Sequence, residues 1–215
     1  MAVSTDVTRL VCGLYAIADS GLLSADNIAQ AVRLAIEGGA RVIQYRDKTG
    51  DTTTRTRLAR ELSVLCHAAS VPFLINDDVA LAATVGATGV HLGRDDPEIG
   101  QARATLGPQA IIGVSCYNEL DRAHAAQAAG ADYVAFGRFF PSRTKPQAVP
   151  ASLDLLHRAR VELSIPIVAI GGITPENGGL LITAGADALA VIDGVFGQTD
   201  ICTAAKRYAK LFNVP

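Results

Sequence analysis

Short apolar runs alternate along the whole chain with longer segments in which apolar residues recur every three or four positions. The runs Leu14–Ala18, Arg41–Tyr45, Phe73–Ile75, Gly89–Leu92, Ile111–Val114, Tyr133–Phe136, Ile167–Ile170 and Ala188–Val191 predict strands. Ala-rich amphipathic segments between them, among them Asp26–Glu37, Thr54–Ala69, Glu119–Ala129 and Ser152–Leu163, predict helices. Alternation of this kind implies right-handed βαβ crossovers and a parallel sheet.

A weak internal repeat supports the count of eight. Gly39-Ala40, Gly86-Ala87, Gly130-Ala131 and Gly185-Ala186 each stand between a predicted helix and the next strand, where glycine can take the left-handed helix stop. The copies are 47, 44 and 55 residues apart, about two strand–helix units each time, so they mark every second strand. Eight such units closing on themselves make a (β/α)8 TIM barrel, with an open doubly wound sheet as the alternative. Nothing in the composition suggests a linker, so residues 9–215 are expected to form one barrel domain and residues 1–8 a loose tail.

Composition narrows the function classes. With 49% hydrophobic residues and 19% charged, the 215-residue chain can fill a large core. A net charge of −2, scattered basic residues, no Trp and 5% aromatics exclude a polyanion grip or a base-stacking surface, so no nucleic acid partner is expected. The longest apolar stretches, Leu10–Ala18 and Ile165–Ile173, are shorter than the ~20 residues that span a bilayer. No cationic segment precedes an apolar one at the N-terminus, so the expectations are no membrane partner and a cytoplasmic location. The four widely spaced cysteines contain no CxxC, which suits reduced thiols better than a zinc site or a disulfide framework.

In a barrel the chemistry belongs at the carboxyl ends of the strands. After the second strand, Gln44-Tyr45-Arg46-Asp47-Lys48 alternates, sending Gln44, Arg46 and Lys48 to one side and Tyr45 and Asp47 to the other. Two cations and an amide at the mouth suit a phosphate or diphosphate; a solvated loop with an Arg–Asp pair is the plainer reading. The third strand ends in Asn76-Asp77-Asp78, and the fourth runs into His91-Leu92-Gly93-Arg94-Asp95-Asp96. Asp78 and Asp95 suit helix capping or solvent, whereas Asp77 and Asp96 suit either capping or a shared hard cation such as Mg²⁺. His91 reads as a hydrogen-bonded structural histidine rather than a catalyst. Ser115 brings a hydroxyl to the mouth without a nucleophile elbow around it. Ser142, Arg143, Thr144 and Lys145 form a proline-bracketed loop with anion donors, or else a polar surface turn. Gly171-Gly172-Ile173-Thr174-Pro175 offers bare amides, with Thr174 and Pro175 expected to open a helix, and the last strand ends at Ile192-Asp193-Gly194.

The ordered set QYRDK (44–48), NDD (76–78), HLGRDD (91–96), GVS (113–115), FGRFFPSRTKP (136–146) and AIGGIT (169–174) resembles the thiamine-phosphate synthase (thiamine-phosphate pyrophosphorylase) family over nearly the whole chain. That resemblance implies a (β/α)8 transferase. The hydroxymethylpyrimidine group leaves its diphosphate and joins the ring nitrogen of a thiazole phosphate, or its carboxylated form, giving thiamine phosphate and pyrophosphate. It implies one Mg²⁺ on Asp77 and Asp96. It places Gln44, Tyr45, Arg46, Asp47, Lys48, Asn76, Ser115 and Lys145 at the pyrimidine diphosphate, with Lys145, Ser115 and Arg46 acting on the departing pyrophosphate. It places Ser142, Arg143, Thr144, Gly172, Ile192 and Asp193 at the thiazole phosphate.

Both partners implied are small molecules, and the oligomeric state is left open. Three positions depart from the pattern: Arg94 stands where Gln is common, Ser142 where Thr is frequent, and Asp193 where Ser is usual. A thiazole tautomerase-like isomerase and a non-catalytic ligand-binding barrel are the competing readings; the retained diphosphate and metal residues argue against the isomerase, and release of pyrophosphate from both substrates with Mg²⁺ separates all three.

Overall fold

A computed structural model describes residues 10–48, 51–141 and 149–212. In chain order the elements are β1 (Gly13–Asp19), α1 (Ile28–Glu37), β2 (Ala40–Arg46), α2 (Thr52–Ala68), β3 (Phe73–Asn76), α3 (Val79–Val85), β4 (Gly89–Leu92), α4 (Ile99–Leu106), β5 (Ile111–Tyr117) and α5 (Leu120–Ala128). There follow β6 (Tyr133–Phe136), α6 (Leu153–Glu162), β7 (Ile167–Ile170), α7 (Gly178–Thr183), β8 (Ala188–Val191), α8 (Asp193–Phe196) and α9 (Ile201–Ala209). The strands pair in parallel in sequence order, and β1 pairs with β8 to close the ring. The open sheet is thereby excluded.

Because both faces of the sheet are covered, the core has two shells. Inside the barrel, Tyr15, Ile17, Val42, Leu74, Tyr133, Val168 and Ala188 pack together. Outside it, residues at the intervening strand positions, such as Ile43, Tyr45 and Ile75, pack against Leu58 and Leu62 of α2 and their counterparts on the other helices. Asp51, Ser152 and Asp200 cap α2, α6 and α9, their side chains accepting from backbone N–H groups of the first turns. None of the four cysteines is in a disulfide, and burial pushes the Cys66 and Cys116 thiols up to about 12.

The Gly-Ala repeat precedes the four even-numbered strands. Its glycines, Gly39, Gly86, Gly130 and Gly185, have φ of 99°, 64°, 89° and 116°, the region in which a Cβ is costly. Two copies extend to Gly-Ala-Asp, and there the carboxylate ties neighbouring strands at their amino ends. Asp132 Oδ2 accepts from Ile112 N at 2.7 Å and from Arg103, while Asp187 Oδ2 accepts from Ile167 N at 2.8 Å and its Oδ1 from Arg160. Polar groups at this end of a barrel serve stability. Asp187→Ala would strand the Ile167 N–H, a loss of about 2 kcal/mol, or roughly 4–8 °C in Tm for a chain of this size. Turnover should be untouched, and calorimetry showing an unchanged Tm would exclude this role.

Candidate active site

The carboxyl ends of the strands open into a cavity of about 730 Å³. Small inward residues, Ala135 on β6 and Ala190 on β8, leave this room, and Ile17, Val168 and Ile170 supply apolar walls. Gln44, Arg46, Asn76, Ser115, Gly172, Ile192 and Asp193 all line it.

Alternation in β2 sets Gln44 and Arg46 apart from Tyr45 and Asp47 as expected, but the exposed Lys48, past the end of the strand, is not among the residues that line the cavity. Gln44 and Arg46 face the cavity, whereas buried Tyr45 belongs to the helix-facing shell and donates its hydroxyl to Asp47 at 2.8 Å. Asp47 also accepts from Ser20 at 2.8 Å. Tyr45 and Asp47 are thus not brought to the cavity. Arg46 donates to Asp19 at the end of β1, whose other oxygen accepts from Gly21 N at 2.8 Å. Asp19 is buried, so its charge stands only because Arg46 and this amide answer it.

Lys48 forms an ion pair with Asp77, which lies next to Asp96 at the rim. Partial burial disfavours the charged Asp77 carboxylate, but hydrogen bonds from Lys48 and Asp96 outweigh it and hold its pKa below the usual range. Asp96 moves the other way, raised first by burial and then by its hydrogen bond with Asp77, although Gly93 N donates to it at 2.5 Å. Two carboxylates held side by side make a position that a hard cation can take. Among the described residues no group of three or more His, Cys, Asp or Glu side chains could hold a metal, and the Asp77–Asp96 pair offers two carboxylates. That donor set fits Mg²⁺, which completes its shell with water and phosphate oxygens.

Asp78 is instead the N-cap of α3, accepting from Leu81 N at 2.8 Å and from Arg55 at 2.8 Å, and Asp95 is exposed. Arg94 pairs with Glu119 and lies 5.0 Å over the Tyr117 ring, so its charge is already answered. The exposed Asp193 carboxylate lies over Gly197, 2.5 Å from where a Cβ there would sit. Ser142, Arg143, Thr144 and Lys145 lie outside the described residues.

The loop after β7 is shaped by close approach. Gly172 has φ of 62°, and a Cβ there would stand 2.3 Å from the Pro141 carbonyl oxygen. Asn177 braces this loop, accepting from Thr174 N at 2.8 Å and donating to the Gly172 carbonyl at 3.1 Å. The helix expected to open at Thr174-Pro175 begins only at Gly178, after a turn, because Asn177 takes the cap position. Beneath the cavity, His91 bonds to Ser115 and to Tyr133, each at 2.8 Å, joining a buried polar chain through Tyr15 to Gln44. Tyr15, Tyr133, Asp19 and Asn177 were not singled out from the sequence; inward-facing tyrosines at alternating strand positions, and a carboxylate ending β1, are the signals that mark three of them.

Comparison with known proteins agrees with this geometry. Residues 14–195 match the profile of thiamine monophosphate synthase. A thiamine-phosphate synthase of Nitrosococcus oceani is 58% identical over 200 residues, covering 93% of this chain and 92% of that protein. One from Thioalkalivibrio sulfidiphilus is 48% identical over 210 residues, covering 98% and 100%. The solved thiamine phosphate pyrophosphorylase of Pyrococcus furiosus superposes with a TM-score of 0.86 at 34% identity, covering 96% of this chain and 97% of that one. With the family profile spanning the barrel from β1 to α8, the chain belongs to the thiamine monophosphate synthase family.

Proposed function

We propose that the chain joins a hydroxymethylpyrimidine diphosphate to a thiazole phosphate, releasing pyrophosphate and forming thiamine phosphate. The observation that carries this reading is the division of one cavity mouth into two polar arcs over an apolar interior. The β2–β5 arc lines the cavity with Arg46, Asn76 and Ser115, and the paired Asp77 and Asp96 follow β3 and β4 beside it; the β7–β8 arc holds the glycine loop and Ile192. Two separate anions, a diphosphate and a monophosphate, are what such a mouth accommodates, with two flat rings between them.

The pyrimidine's exocyclic carbon–oxygen bond breaks as the thiazole nitrogen attacks, and the electron-rich aminopyrimidine supports the positive charge that develops. No general base is needed to make the nucleophile. The enzyme's task is to hold both rings in line and to stabilise charge on departing pyrophosphate. Arg46 and the Ser115 hydroxyl supply donors at that charge, and Lys145 is assigned there by the family resemblance. Mg²⁺ held by Asp77 and Asp96 together with diphosphate oxygens would neutralise charge on the leaving group. Small Ala135 and Ala190 make space for the rings.

Mixing the protein with both substrates and Mg²⁺ should release pyrophosphate in step with thiamine phosphate. Conversion within the thiazole phosphate alone, with no pyrophosphate, would establish the isomerase instead. Gly172→Ala tests the second arc: the clash with Pro141 should raise the KM for thiazole phosphate much more than that for the pyrimidine diphosphate. Steady-state titration of each substrate in turn measures it, and an equal rise in both would remove Gly172 from the monophosphate arc.

A further inference from the structure

A single hydrogen-bonded chain crosses the barrel interior below the cavity. Gln44 Nε2 donates to the Tyr15 hydroxyl at 2.7 Å, and the Tyr15 and Tyr133 hydroxyls are 2.8 Å apart. Tyr133 is 2.8 Å from His91 Nδ1, and His91 Nε2 is 2.8 Å from Ser115 Oγ. The geometry is built around Tyr133. A Cβ on Gly113 would stand 1.9 Å from the Tyr133 Cζ, and the His91 ring stacks on Tyr133 with centroids 5.6 Å apart.

Each hydroxyl carries one proton, and a neutral imidazole carries one N–H. An unbroken chain through these groups therefore has two senses. If protons point from Gln44 toward Ser115, then Tyr15 donates to Tyr133, Tyr133 donates to His91 Nδ1, and His91 Nε2–H donates to Ser115. The cavity then meets the Gln44 carbonyl oxygen as an acceptor and the Ser115 hydroxyl as a donor. Reversing the sense flips the Gln44 amide, turning its NH2 to the cavity, and makes Ser115 a donor to His91 with only its own lone pairs left for the cavity. With a neutral His91, any mixed arrangement leaves either a buried phenol proton without an acceptor or two lone pairs facing each other, which costs more than a satisfied bond gains.

Two observations select the first sense. The Gln44 amide nitrogen is the atom on Tyr15. Phosphate oxygens only accept, so a Ser115 that serves the diphosphate must donate; this second point rests on the transferase reading. Burial, partly offset by hydrogen bonds from Tyr133 and Gln44, raises the Tyr15 pKa far above neutrality, and burial raises that of Tyr133 as well, so both remain O–H.

We propose that Tyr133, acting with Tyr15, is a positioning residue for the reaction: the two phenols hold His91 as its Nε2–H tautomer, which aims the Ser115 proton into the cavity and presents the Gln44 carbonyl to the exocyclic amino group of the pyrimidine.

The test is long-range ¹H–¹⁵N correlation of histidine-labelled full-length protein without substrate, in which His91→Asn assigns the His91 signals among the four histidines. The wild type should show a bare Nδ1 and a protonated Nε2 on His91. A proton on Nδ1, alone or together with one on Nε2, would overturn the proposal without any variant having to fold. Tyr133→Phe should average the two nitrogen signals. It should also lower kcat by about 10–100-fold, the range seen when the outer partner that fixes a metal-ligating histidine's tautomer is lost, with the KM for thiazole phosphate little changed. In a Ser115→Ala background the same change should cost little more, because Tyr133 acts through Ser115. Full multiplicative losses there would equally overturn it. The tautomer is read without turnover, so its failure is distinct from a wild-type protein that releases no pyrophosphate.

Discussion

Chelating divalent cations should abolish pyrophosphate release while leaving the thermal unfolding of the barrel unchanged. Asp77 and Asp96 form no buried cage; they lie side by side as a hydrogen-bonded pair, and Lys48 answers part of their charge. A cation in that place therefore serves the substrate's charge rather than the fold. Asp77→Asn isolates the effect well. Asp77 sits at φ 66°, a conformation that Asn tolerates as readily as Asp, so the substitution removes charge without adding backbone strain. A Lewis-acid contact worth about 3 kcal/mol corresponds to roughly 10²-fold in rate, and Asp77→Asn should lose at least that much at ordinary Mg²⁺ levels. Part of the loss should return as Mg²⁺ is raised. Asp78→Asn is the control, because Asn caps α3 as well as Asp does, and only the Arg55 ion pair is given up. Equal losses from the two substitutions would mean that Asp77 holds no metal.

How much of this was legible in the sequence depends on the range over which each feature is determined. The two-residue period of a strand and the Gly-Ala stops are local, so the eight units and the inward aim of Gln44 and Arg46 could be read directly. The same local rule puts Tyr45 and Asp47 on the helix side, although the family resemblance groups the whole pentapeptide together. The chain from Gln44 to Ser115 is different in kind. Tyr15 and Tyr133 are 118 positions apart, and only closure of β8 onto β1 brings their hydroxyls to 2.8 Å. His91 looked like a structural histidine because its partners were invisible along the chain; it is hydrogen-bonded as expected, but one of those partners is Ser115 at the mouth. The false helix start at Thr174 has a shorter-range cause. Thr-Pro is a sound opening signal, yet the Asn177 side chain is committed to Thr174 N and Gly172 O and delays the helix by a turn.

Neutralising Arg46 should impair use of the pyrimidine diphosphate far more than use of the thiazole phosphate. The Arg46 guanidinium has five N–H donors, of which the bond to Asp19 takes one, so the rest remain for an anion in the cavity that it lines. Asp19 fixes its direction, being itself held by Gly21 N. A preorganised donor of this kind stabilises charge that grows as the leaving group departs, and its removal costs about 10²–10³ in rate. In Arg46→Gln the buried Asp19 is left without its cation, so some stability is lost together with activity. The double variant Asp19→Asn with Arg46→Gln separates the two effects, because a neutral pair should recover much of the stability and none of the rate. Arg46→Lys should recover only part of the rate, since a point charge cannot keep both the Asp19 contact and a bidentate hold on phosphate oxygens. Calorimetric titration of each substrate against Arg46→Gln then locates the site. Weakened pyrimidine diphosphate binding with normal thiazole phosphate binding is the expected pattern, and the opposite pattern would exchange the two arcs of the mouth.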